Sequence, residues 1–441
     1  MRGSFIGNLV RTLGSSAGVI ILSILASVVI ARALGPAGKG TYVVAVQAVS
    51  ILIALGQFGL PEVMLYQMRK EHRQTEALAG NNLVILLASS VLIAVIILVG
   101  YPLLANSVFK GVSSGLLWLA FWMVPFNLGF LFYSRLVQLD GRVGLYNILC
   151  LIRAGVWLSV LLLWIWIWPG NVKVAVLALV TSHAVVALLS FYIVWRKVTA
   201  RHLCVNFRLI KESLLGGIKV QGGMVAVLLG NQLGIFILNI YSDQKAVGWF
   251  STALGVANFL LLFSTSIRTV LQSWMPGNSQ TKSEVLSKTI NLTRHTLLVL
   301  VAGTIALVVV GMPLIRFLYG AAFVPAYTPM LFLLVGIVAR GVGQIFTSYL
   351  AFENCLGLNS IAAILAVCVN AGLACWLVPE FGIIGASVAT SVGQFVSMVF
   401  LLICFIHLTG RHLQEFLPGF TELRFYIALL QRQRESLRFF Q

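Results

Sequence analysis

Apolar runs long enough to cross a lipid bilayer recur from one end of this sequence to the other, and that recurrence decides what the chain can fold into. A span needs roughly 20 apolar residues, because the hydrocarbon core is about 30 Å thick and a helix rises about 1.5 Å per residue. Twelve such runs are legible, at 10–33, 42–66, 79–104, 115–138, 143–168, 173–195, 216–241, 246–272, 292–318, 326–352, 358–378 and 383–408. Hydrocarbon offers the backbone no hydrogen bonds, so each run must be helical. A transmembrane barrel would instead show short alternating segments. Charge agrees with this. Only 10% of the 441 residues are charged, whereas a soluble domain carries about a quarter. The sequence therefore predicts an all-α polytopic membrane protein with about twelve transmembrane helices. The first run, Leu13 to Ala31, is too long for a typical cleaved signal core and reads as a retained span.

The net charge of +18 would point to nucleic acid in a soluble protein. Beside membrane spans, Lys and Arg set topology and attract anionic lipid instead, so membrane lipids and not nucleic acid are the expected partners. With the N-terminus in the cytoplasm, 22 of the thirty Lys and Arg fall in cytoplasmic segments, six fall outside, and Arg153 and Arg340 lie within spans. The positive-inside rule then places both termini in the cytoplasm. The longest internal loop divides the chain into an N-terminal six-helix bundle (1–195), a basic cytoplasmic linker (196–215), a C-terminal six-helix bundle (216–409) and a basic tail (410–441). The tail mixes Leu423, Phe425 and Ile427 with Arg424, Arg432 and Arg434, a pattern open to an amphipathic surface helix or to disorder.

A faint repeat links the halves. Shifted by 208 residues, Arg11 meets Lys219, Gly14 meets Gly222, Gly40 meets Gly248, Tyr42 meets Phe250 and Ala45 meets Ala253. Chance similarity between apolar helices competes with a true duplication. A true one would relate two parallel halves about an axis along the membrane normal, with a site at their interface, an arrangement used by transporters.

Nothing in the sequence resembles a catalytic or metal-binding motif. The six cysteines show no paired spacing and read as small buried residues, so no metal or cofactor is expected and the chain is not read as an enzyme. Gly38-Lys39-Gly40-Thr41 lacks the spacing of a phosphate loop and reads as a tight turn on the outer side.

The informative residues are ionisable groups at membrane depth, each costing about 2.5–3.5 kcal/mol to insert. Arg153 lies near the middle of the fifth span and Arg340 well inside the tenth, where Gly341 and Gly343 leave room around it. Arg11, Lys219 and Arg268 lie near cytoplasmic ends of spans, where snorkelling to the headgroups competes with function. Glu62, after Pro61, is the scarce acid that could pair with them or couple to an ion. The functional reading is a cationic cavity between the halves, since guanidinium groups bind phosphate oxygens in bidentate fashion. The competing reading is structural pairing with carbonyls or with Glu62. Amides such as Gln221, Asn239, Asn258 and Gln344 suit sugar hydroxyls, or equally hydrogen bonds between helices.

Three segments carry a family resemblance. ARALGPAGKGTYVVAVQAVSILIALGQFGLPEVML (Ala31 to Leu65), FLYGAAFVPAYTPM (Phe317 to Met330) and LVPEFGIIGASVATSVGQF (Leu377 to Phe395) resemble, in order and spacing, the polysaccharide-exporting flippases of the multidrug/oligosaccharidyl-lipid/polysaccharide superfamily, including the Wzx-type repeat-unit flippases. The resemblance implies two six-helix bundles around a V-shaped cavity, as in multidrug transporters of the superfamily. It implies alternating-access flipping of an undecaprenyl-diphosphate-linked oligosaccharide (an O-antigen, capsule or exopolysaccharide unit) across the bacterial inner membrane. A polysaccharide polymerase and a chain-length regulator are candidate partners. The family has no fixed basic motif, so Arg153 and Arg340 take the substrate-binding role by depth and charge. A multidrug or other small-molecule exporter of the same superfamily is the alternative, for which Glu62 alone is thin support. A membrane glycosyltransferase would need longer outer loops.

Overall fold

The computed structural model describes residues 2–61, 63–64, 75–196, 205–274 and 281–416. Every regular element among them is helical, and no strand occurs. In chain order these are α1 (Arg2–Gly56), α2 (Thr75–Leu104), α3 (Ser114–Phe121), α4 (Met123–Leu139), α5 (Val143–Ile167), α6 (Val172–Trp195), α7 (Phe207–Tyr241), α8 (Gln244–Ala257), α9 (Leu261–Trp274), α10 (Lys282–Tyr319), α11 (Tyr327–Phe352) and α12 (Leu356–Thr409). Nine helices, or ten with one bent pair, are long and apolar enough to cross a membrane among the described residues.

The twelve expected runs map onto these ten because α1 and α12 each hold two helices joined across a break. Gly35 takes φ 67° in α1, and Gly382 takes φ 52° in α12. Both lie in the left-handed region that glycine enters without steric cost. Pro36 follows the first break and Pro379 precedes the second, and neither can donate the helical hydrogen bond. The turn expected at Gly38–Thr41 is therefore a break at Gly35, and Gly38 to Thr41 are already helical. Proline also divides the fourth run: Pro125 cannot donate to the Phe121 carbonyl, and the helix breaks at Trp122 between α3 and α4.

Two helices start earlier than hydropathy suggests, because polar caps extend them. The Asn206 side chain accepts from the Leu209 amide at 3.1 Å, so α7 begins inside the stretch expected to be loop. At α10, the Thr281 amide donates to Glu284 Oε2 at 3.1 Å and the Glu284 amide donates to Thr281 Oγ1 at 3.4 Å. This is a reciprocal capping box. Thr281→Ala is expected to cost about 1 kcal/mol of stability, read as a small fall in the thermal midpoint of the purified protein.

The chain packs as two units, Met1–Ser251 with Arg316–Phe323, and Thr252–Ile315 with Val324–Gln441. These packing units group α7 and the start of α8 with α1–α6, a different division from a cut at the middle loop.

In the first unit, glycines let backbones meet. A Cβ on Gly40 would overlap the Gln244 carbonyl oxygen, and a Cβ on Gly248 would overlap that of Pro36. Residues 36 and 244, and 40 and 248, are each 208 apart, so the register shift read from the sequence recurs in space as a reciprocal contact. A second pair, Gly59 and Gly217, is equally close: a Cβ on Gly217 would overlap the Phe58 carbonyl oxygen. Gln221 Nε2 donates beside it to the carbonyls of Ala54 (2.6 Å) and Leu55 (2.9 Å). Asn239 Nδ2 donates to Val108 O at 2.8 Å. These two amides join the helices of the unit.

The second unit is centred on aromatic packing. Phe346, Tyr349 and Phe405 are buried, with Phe405 centroids 5.3 Å from Phe346 and 4.6 Å from Tyr349, and Phe416 closes the cluster edge-on. Gly336 packs against Ser391, whose hydroxyl donates to Phe332 O at 2.7 Å.

Candidate functional site

In the second unit, Arg268 on α9 and Arg340 on α11 are both partly buried, on helices that pack against each other, and Arg340 lies within electrostatic reach of Arg268. Among the described residues neither forms an ion pair or a hydrogen bond; the Lys282–Glu353 pair at 2.8 Å, at the end of α11, does not involve them. The glycines beside Arg340 do not open space around it, as their position in the sequence suggests, but pack helices together. Gly341 meets Ser264 of α9 and Leu300 of α10, and Gly343 meets Leu401 and Met398 of α12. Two guanidinium groups on packed helices, with no carboxylate paired to either among the described residues, form a local excess of positive charge, a chemistry suited to an anion with several oxygens.

In the first unit, Arg153 on α5 lies with its guanidinium 5.4 Å from the centroid of the Phe130 ring on α4. A contact of this kind contributes about 0.5–2 kcal/mol. His183 of α6 is within electrostatic reach of Arg153 and is 5% exposed. Its Nδ1 lies 2.9 Å from Leu179 O. A carbonyl can only accept, so Nδ1 carries a proton. Cys150 and Tyr146 also feel the Arg153 charge. Arg153 thus already has an aromatic partner, whereas Arg268 and Arg340 have none among the described residues.

Arg11 and Lys219 fall on the backbones of α1 and α7, and their side chains lie outside the described residues, as does Glu62 altogether. Gln221 and Asn239, expected as sugar contacts or helix glue, serve here as glue.

One group escapes a reading of the sequence. Lys39 looks there like an outer-loop charge, yet it is 4% exposed. Its ammonium lies 4.6 Å from the Tyr319 centroid, 5.5 Å from that of Phe323, and 3.4 Å from Ser27 Oγ. Beside it, Arg32 Nε donates to Leu318 O at 2.8 Å and its Nη2 to Phe317 O, which satisfies carbonyls at the end of α10. Trp249 Nε1 donates to Ala322 O at 2.8 Å. Three side chains from α1 and α8 thereby hold the segment Phe317–Phe323. The pairings are distant in sequence, so no local pattern announces them.

The sequence model for polysaccharide biosynthesis proteins matches residues 8–282, more than half of the chain. The chain belongs to the polysaccharide biosynthesis protein family. A relative in the same field is the probable low-salt glycan biosynthesis flippase Agl15 of Haloferax volcanii, 26% identical over 172 residues. That match covers 38% of this chain and only 36% of the relative's length. Among solved structures, the lipid II flippase MurJ in an inward closed conformation matches with a TM-score of 0.72 at 15% identity, over 90% of this chain and 87% of that one. An inward-facing multidrug resistance MATE family transporter of the MOP superfamily matches with a TM-score of 0.69 at 14% identity, over 88% and 94%. A MOP superfamily transporter from Pyrococcus furiosus matches with a TM-score of 0.64 at 12% identity, over 90% and 94%. These identities establish the fold alone. This polysaccharide biosynthesis protein is thus a multi-pass membrane protein with the fold of solved flippases and transporters.

Proposed function

We propose that the chain is a flippase that moves a prenyl-diphosphate-linked oligosaccharide, on undecaprenyl diphosphate, across the bacterial inner membrane by alternating access. Both termini are then cytoplasmic, and a polymerase and chain-length regulator act on the exported unit. The observation that carries this reading is the Arg268–Arg340 pair, two partly buried guanidinium groups on packed helices, neither with a carboxylate or a hydrogen bond among the described residues. Inside apolar helices such a pair is costly unless an anion occupies it in the working cycle. A diphosphate presents enough oxygens for both forks, and each charge-assisted bond contributes roughly 1.5–3 kcal/mol. Arg153 provides a further cation, and Arg11 and Lys219 lie at span ends where they could receive the headgroup. The family membership and the flippase named among the curated relatives support the same substrate class.

The test is leaflet exchange of a fluorescent prenyl-diphosphate sugar in proteoliposomes. Arg268→Ala and Arg340→Ala are each expected to slow exchange at least about tenfold, since one lost charge-assisted bond is worth about a factor of ten or more. Unchanged exchange in both variants removes the role of the pair. No exchange by the natural protein, across several glycans, sinks the flippase reading.

A further inference from the structure

Serine and threonine inside a helix ordinarily satisfy their hydroxyls on a carbonyl three or four residues back. Most of those near the arginine pair do so. On α10, Thr289 donates to Val285 O at 2.7 Å and Thr293 to Thr289 O at 2.9 Å; on α9, Ser266 donates to Leu262 O at 2.8 Å. Two do not. Ser264 and Thr296 are both 0% exposed, and neither hydroxyl has a hydrogen-bond partner among the described residues. The same holds for the side-chain oxygen of Gln344.

These three groups lie on the two helices that carry the arginine pair and on α10, which packs against Gly341. Ser264 stands one turn before Arg268 on α9, and Gln344 one turn after Arg340 on α11. The two helices touch where Gly341 faces Ser264: a Cβ on Gly341 would lie 2.7 Å from Ser264 Oγ. The same Cβ would press on Leu300 of α10, and Thr296 lies one turn before Leu300 on that face. Three packed helices therefore carry two cations, two hydroxyls and an amide oxygen within about a turn of the Gly341 contact, none with a hydrogen-bond partner among the described residues. A buried polar group without a partner costs about 1–3 kcal/mol, so a ligand that supplies the missing hydrogen bonds recovers that cost on binding.

We propose that Ser264, Thr296 and Gln344 form a sugar-recognition subsite beside the Arg268–Arg340 pair, taking hydroxyls of the first sugar carried on the diphosphate. This rests on the flippase reading and deepens it: the arginines hold the charge and the three neutral groups read the sugar. The chemistry fits, because hydroxyls donate and accept while the amide oxygen accepts, and sugar hydroxyls do both. The subsite is shut in this structure, and the sugar enters when α9 and α11 part at the small contact between Gly341 and Ser264.

The test uses the full-length protein in lipid nanodiscs with two kinds of soluble probe. One is farnesyl diphosphate alone. The other is a set of farnesyl diphosphates each bearing one sugar (glucose, galactose or N-acetylglucosamine). Ser264→Ala, Thr296→Val and Gln344→Leu are each expected to weaken the preferred sugar-bearing probe about tenfold while leaving the bare diphosphate within about twofold. The free Ser264→Ala and Thr296→Val proteins should keep or raise their thermal midpoints, because each loses an unsatisfied buried hydroxyl. Arg340→Ala should weaken both kinds of probe. The proposal is overturned if the three variants weaken both kinds equally. It is likewise overturned if they weaken neither, or if the natural protein binds every sugar-bearing probe no better than the bare diphosphate. Natural protein that binds neither kind of probe overturns the flippase reading itself.

Discussion

Lys39→Glu is expected to destabilise the protein by at least about 3 kcal/mol, with Lys39→Met costing far less. The ammonium of Lys39 lies against the faces of Tyr319 and Phe323, and only 4% of the residue is exposed. Ring faces carry the negative end of the aromatic quadrupole, so they attract a desolvated cation by about 2 kcal/mol and repel an anion. A carboxylate there would lose its hydration and meet two negative faces; reversing a buried charge in this way falls in the range of about 3–5 kcal/mol seen when a buried charge is left uncompensated. Methionine keeps the length and the apolar stem, and its sulfur also packs well against rings, so it loses the cation–π attraction and the long hydrogen bond to Ser27 without burying an opposed charge. The measurement is the unfolding midpoint of both purified variants in detergent, with the natural protein as reference. Equal stability of the Lys39→Glu and Lys39→Met variants would refute the aromatic cage. The damage should be local in origin, because Arg32 and Trp249 hold the neighbouring carbonyls of Phe317, Leu318 and Ala322 independently.

The contrast between Lys39 and Arg340 shows what the sequence could and could not reveal. Arg340 is legible because it interrupts an apolar run, and a charge at membrane depth is a one-dimensional signal. Lys39 is hidden because it follows a break, where a basic residue reads as a loop charge. Its burial comes from Tyr319 and Phe323, far along the chain, and from the placement of the break at Gly35 rather than at Gly38–Thr41. The helical class and the twelve runs are readable because hydrocarbon leaves the backbone one option. Helix ends are less so: α7 and α10 start early on the caps of Asn206 and Thr281, which hydropathy does not weigh. The positions of Arg268 and Arg340 can be read one at a time, but their adjacency cannot, since it depends on Gly341 letting α9 and α11 approach. Ser264 and Thr296 look like any other small polar residues in a span until their missing partners are seen.

Gly40→Ala and Gly248→Ala are each expected to cost about 1–3 kcal/mol, and the double variant less than the sum of the two. Each added methyl would overlap a backbone carbonyl oxygen, that of Gln244 for the first and that of Pro36 for the second. A carbonyl within a helix cannot turn aside as a flexible side chain can, so the helices must separate, and overpacking of this kind costs about the stated amount. The two clashes are the two halves of one reciprocal contact between α1 and α8, with residues 36 and 40 standing to 244 and 248 in the same register shift of 208. Once the first methyl has pushed these backbones apart, the second finds part of its room already made. Residues that share one contact couple by about 0.5–3 kcal/mol, and here the sign favours the double variant. A thermodynamic cycle on the natural protein, both single variants and the double variant measures this directly. Strict additivity would mean that the two glycines act on separate contacts, and the pseudo-symmetric pairing of α1 with α8 would have to be given up. A coupling of the expected sign would make the faint repeat in the sequence a physical relation: two copies of one glycine-marked helix start, each leaving space for the other's backbone.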